Sequence, residues 1–319
     1  MRAATPAPSA ADRRPARYRA GLAGALLLAA ACAPGGPGGD AGAGHPDKVT
    51  VAVSVPPLAW LVERVGGDRV EVEVMIPPGI SPHTYEPSPR AMASLERADL
   101  FVAVGHPHLA FERQHVEPVL ARRPDLAVVR LTGAAEAAEE AGAGSDEDPH
   151  VWLSPSRMAA AAGEVAGALA EADPAGAEVY SRRLAATRAE IAELDRALAR
   201  RLAHRASDRF LVYHPAWGAF AREYGLTQVA IEQGGKEPGP RQLARVIAEA
   251  RRDGVEVVFV QQGFSDRPAR VVAREIGAHV VPLDPLARDW ADNLRRAADA
   301  SAGVPGEPAP TAGGPEAPP

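Results

Sequence analysis

Between Asp173 and Arg205 the apolar side chains Tyr180, Leu184, Ile191, Leu194, Leu198 and Leu202 recur at steps of three, four and seven. That spacing lays one stripe along an α-helix. Asp173 suits the N-cap and Pro174 the first turn, where a missing N–H costs nothing. Arg200, Arg201, His204 and Arg205 put positive charge at the far end, where the helix dipole favours it. At about 1.5 Å per residue the predicted helix is roughly 45 Å long. Its apolar stripe is narrow, alanine-rich and only a few heptads long, which disfavours a dimerising coiled coil. It reads as a rigid strut within a monomer.

On either side the pattern alternates between period-two runs and helical segments. VTVAVSV (49–55), RVEVEVMI (69–76), DLFVAVG (99–105) and LAVVRL (126–131) are predicted strands. Helices are predicted over 58–65, 89–97, 109–121 and 155–172. After the strut, strands are expected at 209–214, 226–232, 255–261 and 278–283, with helices at 216–224, 240–252, 267–276 and 289–301. Gly225, Gly254 and Gly277 each stand between a helix and a strand, where a left-handed cap is needed. Alternating elements with hydrophobic strands imply parallel sheets. The predicted fold class is α/β: two Rossmann-like lobes, 48–172 and 207–301, joined by one long rigid α-helix over 173–206.

Composition adds the cellular setting. The chain has 319 residues, 46% hydrophobic, with net charge −6 and no basic, aromatic-laced stripe of the kind that binds nucleic acid. Its single cysteine, Cys32, excludes an internal disulfide and a cysteine metal cluster. Arg13, Arg14, Arg17 and Arg19 precede an apolar run, AGLAGALLLAAA (20–31), that is too short to span a bilayer. Small residues then lead into Cys32, so 1–31 reads as an export signal. It resembles a bacterial lipoprotein signal, with Ala29 where leucine is usual, and that resemblance makes Cys32 the lipid attachment point. Residues 32–47 read as a flexible tether and 302–319 as a disordered, proline-rich tail. The acidic stretch 134–148, which includes Asp148, reads as a solvated loop.

The candidate chemistry lies in histidines. Of nine, His83, His150 and His214 sit in loops rich in proline, turn residues and aromatics. His83 follows one predicted strand, His214 ends another, and Asp284 ends a third. Ligands of parallel α/β sheets bind beyond the carboxyl ends of strands, so these positions point to one cleft. Three neutral imidazoles and a carboxylate make a tetrahedral zinc set. Calcium and magnesium want oxygen donors, and manganese wants more of them than this, so it ranks second. Four protein ligands leave no open position for a reacting water, which argues for holding metal over catalysis. Taken alone, each histidine could equally serve a loop or cap, and Asp284 a turn before Pro285.

Five ordered motifs bear on that choice: PPGISPHTYEPSP (77–89), DPHVWLSP (148–155), YHPAWGAFAREYGL (213–226), IEQGGKEPGPRQL (231–243) and VVPLDPLARDW (280–290). Together they resemble the zinc and manganese solute-binding proteins of ABC importers, and the likeness covers nearly all of 48–301. The resemblance implies two lobes joined by a long helix, an extracytoplasmic location and delivery of metal to a membrane permease. It assigns His83, His150, His214 and Asp284 as the metal ligands. His214 stands where manganese-binding members often have a carboxylate, which tilts the reading to zinc.

The resemblance leaves several residues to be placed. The stretch 134–148 lacks the histidines that zinc-specific members often carry there. His106, His108 and His115 form a candidate secondary capture site. Glu86 and Glu232 are candidate hydrogen-bond partners for ligand histidines, and Lys236 has no evident ligand role. Because bound imidazole must be deprotonated, affinity is expected to fall below about pH 6. The rivals are a zinc hydrolase and a surface adhesin on the same fold. No H-E-x-x-H and no serine or cysteine nucleophile motif supports the enzyme.

Overall fold

β-Branched residues fill the strands, and both sheets form in the same way. The computed structural model describes residues 48–132, 148–205, 207–232, 236–261 and 266–303. The signal 1–31, Cys32, the tether 32–47, the acidic stretch before Asp148 and the tail from 304 lie outside the described residues.

The first lobe runs β1 (Val49–Val53), α1 (Pro56–Gly66), β2 (Val70–Val74), α2 (Pro89–Arg97), β3 (Leu100–Ala103), α3 (Glu117–Leu120), β4 (Ala127–Arg130) and α4 (Pro155–Ala172). After the long helix α5 (Ala177–Leu202), the second lobe runs β5 (Arg209–Val212), α6 (Gly218–Glu223), β6 (Thr227–Ala230), α7 (Pro240–Arg252), β7 (Val257–Val260), α8 (Arg267–Ile276), β8 (His279–Pro282) and α9 (Trp290–Ser301). Each sheet has four parallel strands, in the orders β2-β1-β3-β4 and β6-β5-β7-β8. In the first, Val51 pairs with Val72 and Leu100; in the second, Leu211 pairs with Val229 and Val258. Both sheets therefore present the carboxyl ends of their strands as the place for loops that bind.

The long helix begins later than its Asp173-Pro174 start signal suggests. Residues Pro174–Gly176 form a 3₁₀ turn first. The Asp173 carboxylate caps it from Gly176 N–H at 3.2 Å and also meets Arg69 and the Tyr180 hydroxyl, each at 2.7 Å. A Cβ at Gly176 would lie 2.3 Å from that carboxylate, so a larger residue there would displace the cap. The buried stripe of α5 is Tyr180, Thr187, Ile191, Leu194, Leu198 and Leu202; Leu184 is half-buried and Thr187 fills the gap. It packs against α1, α4 and α9, so one face of the strut is buried in the body of the protein.

The helix expected over 109–121 is broken. A π-helical turn, Glu112–Val116, leads into the short α3. Pro118 has no N–H to return to residue 114, which disfavours a regular α turn there.

The period-two pattern decides where the core sits. Phe210, Val212, Val257 and Phe259 join one large core with the first lobe, α5 and α9. Leu211, Tyr213, Val258 and Val260 face the other way and pack under α7 and α8. One face of the second sheet thus belongs to the same hydrophobic mass as the first lobe. Gly225, Gly254 and Gly277 take positive φ, as their positions between helix and strand require.

Candidate metal centre

The loop 77–88 after β2 is turned by its prolines and holds itself with local contacts. Ile80 N–H reaches Pro77 O and Thr84 N–H reaches Ser81 O, both at 3.3 Å. His83 N–H donates to Ser81 Oγ at the same distance. Nε2 of His83 is buried and makes no hydrogen bond. Burial, followed by the neighbouring His150 and His214, lowers the His83 pKa to about 4. His83 is therefore neutral at physiological pH, the form that can ligate a metal.

His150 lies between β4 and α4, where Asp148 makes a turn. Asp148 Oδ1 accepts from the His150 backbone N–H at 3.0 Å and stands 2.5 Å from its Nδ1. The pair is nearly sealed, with side chains 3% and 6% exposed. The expectation of a solvated Asp148 is therefore corrected: the i to i+2 turn folds its carboxylate inward. Burial works to raise the Asp148 pKa, but the charge and hydrogen bonds of His150, together with the Gly218 N–H, outweigh it and hold it low. The D-P-H spacing was a usable signal for this contact, because aspartate two residues before a backbone N–H readily closes such a turn.

His214 follows β5. Its Nδ1 stands 2.6 Å from Oε1 of Glu232, which follows β6 and is buried. Burial, then His150, lowers the His214 pKa against the opposing pull of Glu232. In both pairs a carboxylate facing Nδ1 puts the ring proton there, which makes Nε2 the nitrogen that can act as a ligand. Glu86, the other candidate partner, is exposed.

The three rings form a compact triangle. Their centroids are 5.4 Å (His83–His150), 5.2 Å (His83–His214) and 5.3 Å (His150–His214) apart. One ligand nitrogen from each lies within 4.8 Å of the others, and among the described residues no other set of three or more His, Cys, Asp or Glu converges this way.

Asp284 is outside that group. It follows β8, its Oδ1 accepts from Leu286 N–H at 2.9 Å, and its carbonyl accepts from the buried Asn293 amide at 2.7 Å. Burial raises its pKa. His106, His108 and His115 do not converge. His106 is buried with Nδ1 facing the His108 N–H at 3.2 Å, and His115 lies against Phe111. Lys236 is exposed.

Two parallel four-stranded sheets, a long helix between them and a largely buried triangle of imidazoles define a metal-binding solute receptor of the ABC-importer type. The family model for zinc-uptake complex component A, periplasmic (ZnuA), matches residues 51–301, and the chain belongs to that family. Its members bind and hand on a solute; they are not enzymes.

The chain is 30% identical over 288 residues to the high-affinity zinc uptake system protein ZnuA of Bacillus subtilis, covering 83% of this chain and 86% of that one. It superposes on a crystal structure of ZnuA with a TM-score of 0.73 at 36% identity, covering 81% of this chain and 99% of the other. A mutant structure of the laminin-binding adhesin Lmb of Streptococcus agalactiae gives a TM-score of 0.66 at 25% identity, covering 79% and 99%.

Proposed function

We propose that this protein captures Zn2+ outside the cytoplasm with high affinity and delivers it to an ABC permease for import. His83, His150 and His214 are the histidine ligands, and Asp284 completes the set. The reading is carried by one observation: three imidazoles from separate loops converge on one point, two of them oriented through Nδ1 by buried carboxylates. Neutral nitrogen donors favour zinc over the oxygen-seeking divalent ions.

Ligands about 2.1 Å from zinc stand roughly 3.4 Å apart. The donors here spread to as much as 4.8 Å, so capture draws them inward. The loop of His83, whose hydrogen bonds are local, is the part with most freedom to move. Asp284 would exchange its backbone hydrogen bond for the ion, and the cation would lower its raised pKa.

In this reading residues 1–31 are an export signal, Cys32 carries the lipid anchor and 32–47 is the tether. The lobes are 48–172 and 207–301, joined by 173–206, with 302–319 as a tail. The protein works as a monomer at the membrane surface, and among the described residues no helix is long and apolar enough to cross a bilayer. A second reading, a surface adhesin, is favoured by the likeness to the S. agalactiae protein. Binding to host matrix by a metal-site variant would support it.

The decisive experiment is metal content by mass spectrometry of the purified protein beside His83→Ala, His150→Ala, His214→Ala and Asp284→Ala. The expected result is one zinc per parent chain, with loss in each variant. A parent that takes up manganese in preference to zinc, or histidine variants that keep full zinc, would defeat the assignment.

A further inference from the structure

Asp148 uses both of its carboxylate oxygens, and they serve different lobes. Oδ1 holds His150 by ring and backbone. Oδ2 accepts from the backbone N–H of Gly218, at the start of α6, at 3.0 Å. We infer that Asp148 is a positioning residue of the metal site, one buried carboxylate that orients His150 and fastens it to the second lobe. This rests on the metal reading above.

Three features carry the inference. First, a carboxylate can only accept, so Asp148 assigns the His150 proton to Nδ1 and leaves Nε2 for a ligand. Second, the grip on the second lobe is built for close approach. A Cβ on Gly218 would stand 2.5 Å from Asp148 Oδ2 and 2.8 Å from Gln228 Nε2, while Gln228 Oε1 accepts from Trp217 N–H at 2.9 Å. Third, the segment after His150 is bonded across in the same direction. Trp152 Nε1–H donates to Pro285 O at 2.7 Å, Trp290 Nε1–H to Trp152 O at 2.8 Å, and Ser156 N–H to Glu223 Oε1 at 2.9 Å.

His150 precedes the long helix in sequence but is fastened to elements that follow it. It is thereby tied to the second lobe as well as to the first, on whose strands α4 packs.

Asparagine cannot replace Asp148. With its oxygen toward His150, its amide faces the Gly218 N–H, donor against donor. Turned over, it faces the His150 backbone N–H with a donor and favours the tautomer that blocks Nε2.

The test uses the full chain with Asp148→Asn and Gly218→Ala, the second variant disturbing Asp148 from the far lobe without touching a proposed ligand. Zinc affinity is measured by chelator competition, coordination by the Co2+ absorption spectrum, and stability by melting of the metal-free protein. Both variants are expected to bind zinc about 10- to 100-fold more weakly, with altered Co2+ spectra. Affinity within about twofold of the parent and an unchanged spectrum in both variants, even with lowered melting temperatures, would make Asp148 merely structural and overturn the inference. A parent that binds no zinc would instead overturn the metal reading itself, and this inference with it.

Discussion

At the scale of single residues, the site is a balance between burial and charge. Glu232 accepts from His214 Nδ1 in a buried position, so replacing it with glutamine weakens a charge-assisted hydrogen bond and loosens the ring. Glu232→Gln is expected to weaken zinc binding about 10-fold, at the low end for such outer partners, read by competition titration.

The lowered pKa values of His83, about 4, and of His214 set the pH behaviour. Between the folded values and the unfolded value of about 6.5, the unfolded chain binds more protons than the folded one. Their contribution is therefore complete above about pH 6.5 and is lost as pH falls toward 4. Melting of the metal-free protein should drop progressively across that window. The same shifts reduce proton competition for the metal. Zinc affinity is thus expected to persist below the pH 6 limit that an ordinary imidazole would set, which titration at pH 5 and 7 will check.

At the scale of elements, the start of α5 is the clearest case of local chemistry deciding structure. Asp173 caps the 3₁₀ turn and joins Arg69 and Tyr180 in one cluster, with the Arg69 pair at 2.6 Å and largely shielded from water. Burial, then the hydrogen bond to Asp173, pushes the Tyr180 pKa up to about 12. Asp173→Ala removes the cap and leaves Arg69 without its partner. It should cost about 1–2 kcal/mol of stability, read by denaturant unfolding, with zinc stoichiometry unchanged. The helices at 89–97, 155–172, 240–252 and 267–276 were legible at both ends because proline marks the start of three of them and an arginine-proline pair that of the fourth. The segment 109–121 was less legible, since a proline inside an apolar pattern shows that the helix must change but not how.

At the scale of the whole molecule, the two sheets are bound through a continuous core and not by the long helix alone. Phe210, Val212 and Phe259 share that core with Trp152 and Trp290 of the inter-lobe contacts, and Arg288 reaches across to Glu63. Wide separation of the lobes would expose this apolar surface at a cost of about 25 cal/mol per Å². Small-angle scattering is therefore expected to give the same radius of gyration with and without zinc, within error. A clear contraction on zinc binding would mean that the core yields.

The sequence alone determined the alternation of strands and helices, the glycine caps, and which histidines lie in loops beyond strand ends, because these follow from local periodicity and backbone sterics. It also carried the motifs of the family. Only the tertiary structure decided which carboxylate faces which imidazole. Asp148 looked like one more member of an acidic run until folding brought Gly218, seventy positions on, against its second oxygen. Asp284, placed by motif among the ligands, has one carboxylate oxygen on the Leu286 N–H and is not among the three groups that converge. Such partnerships join residues distant in the chain, and their geometry is set by the packing of whole lobes, which no local pattern encodes.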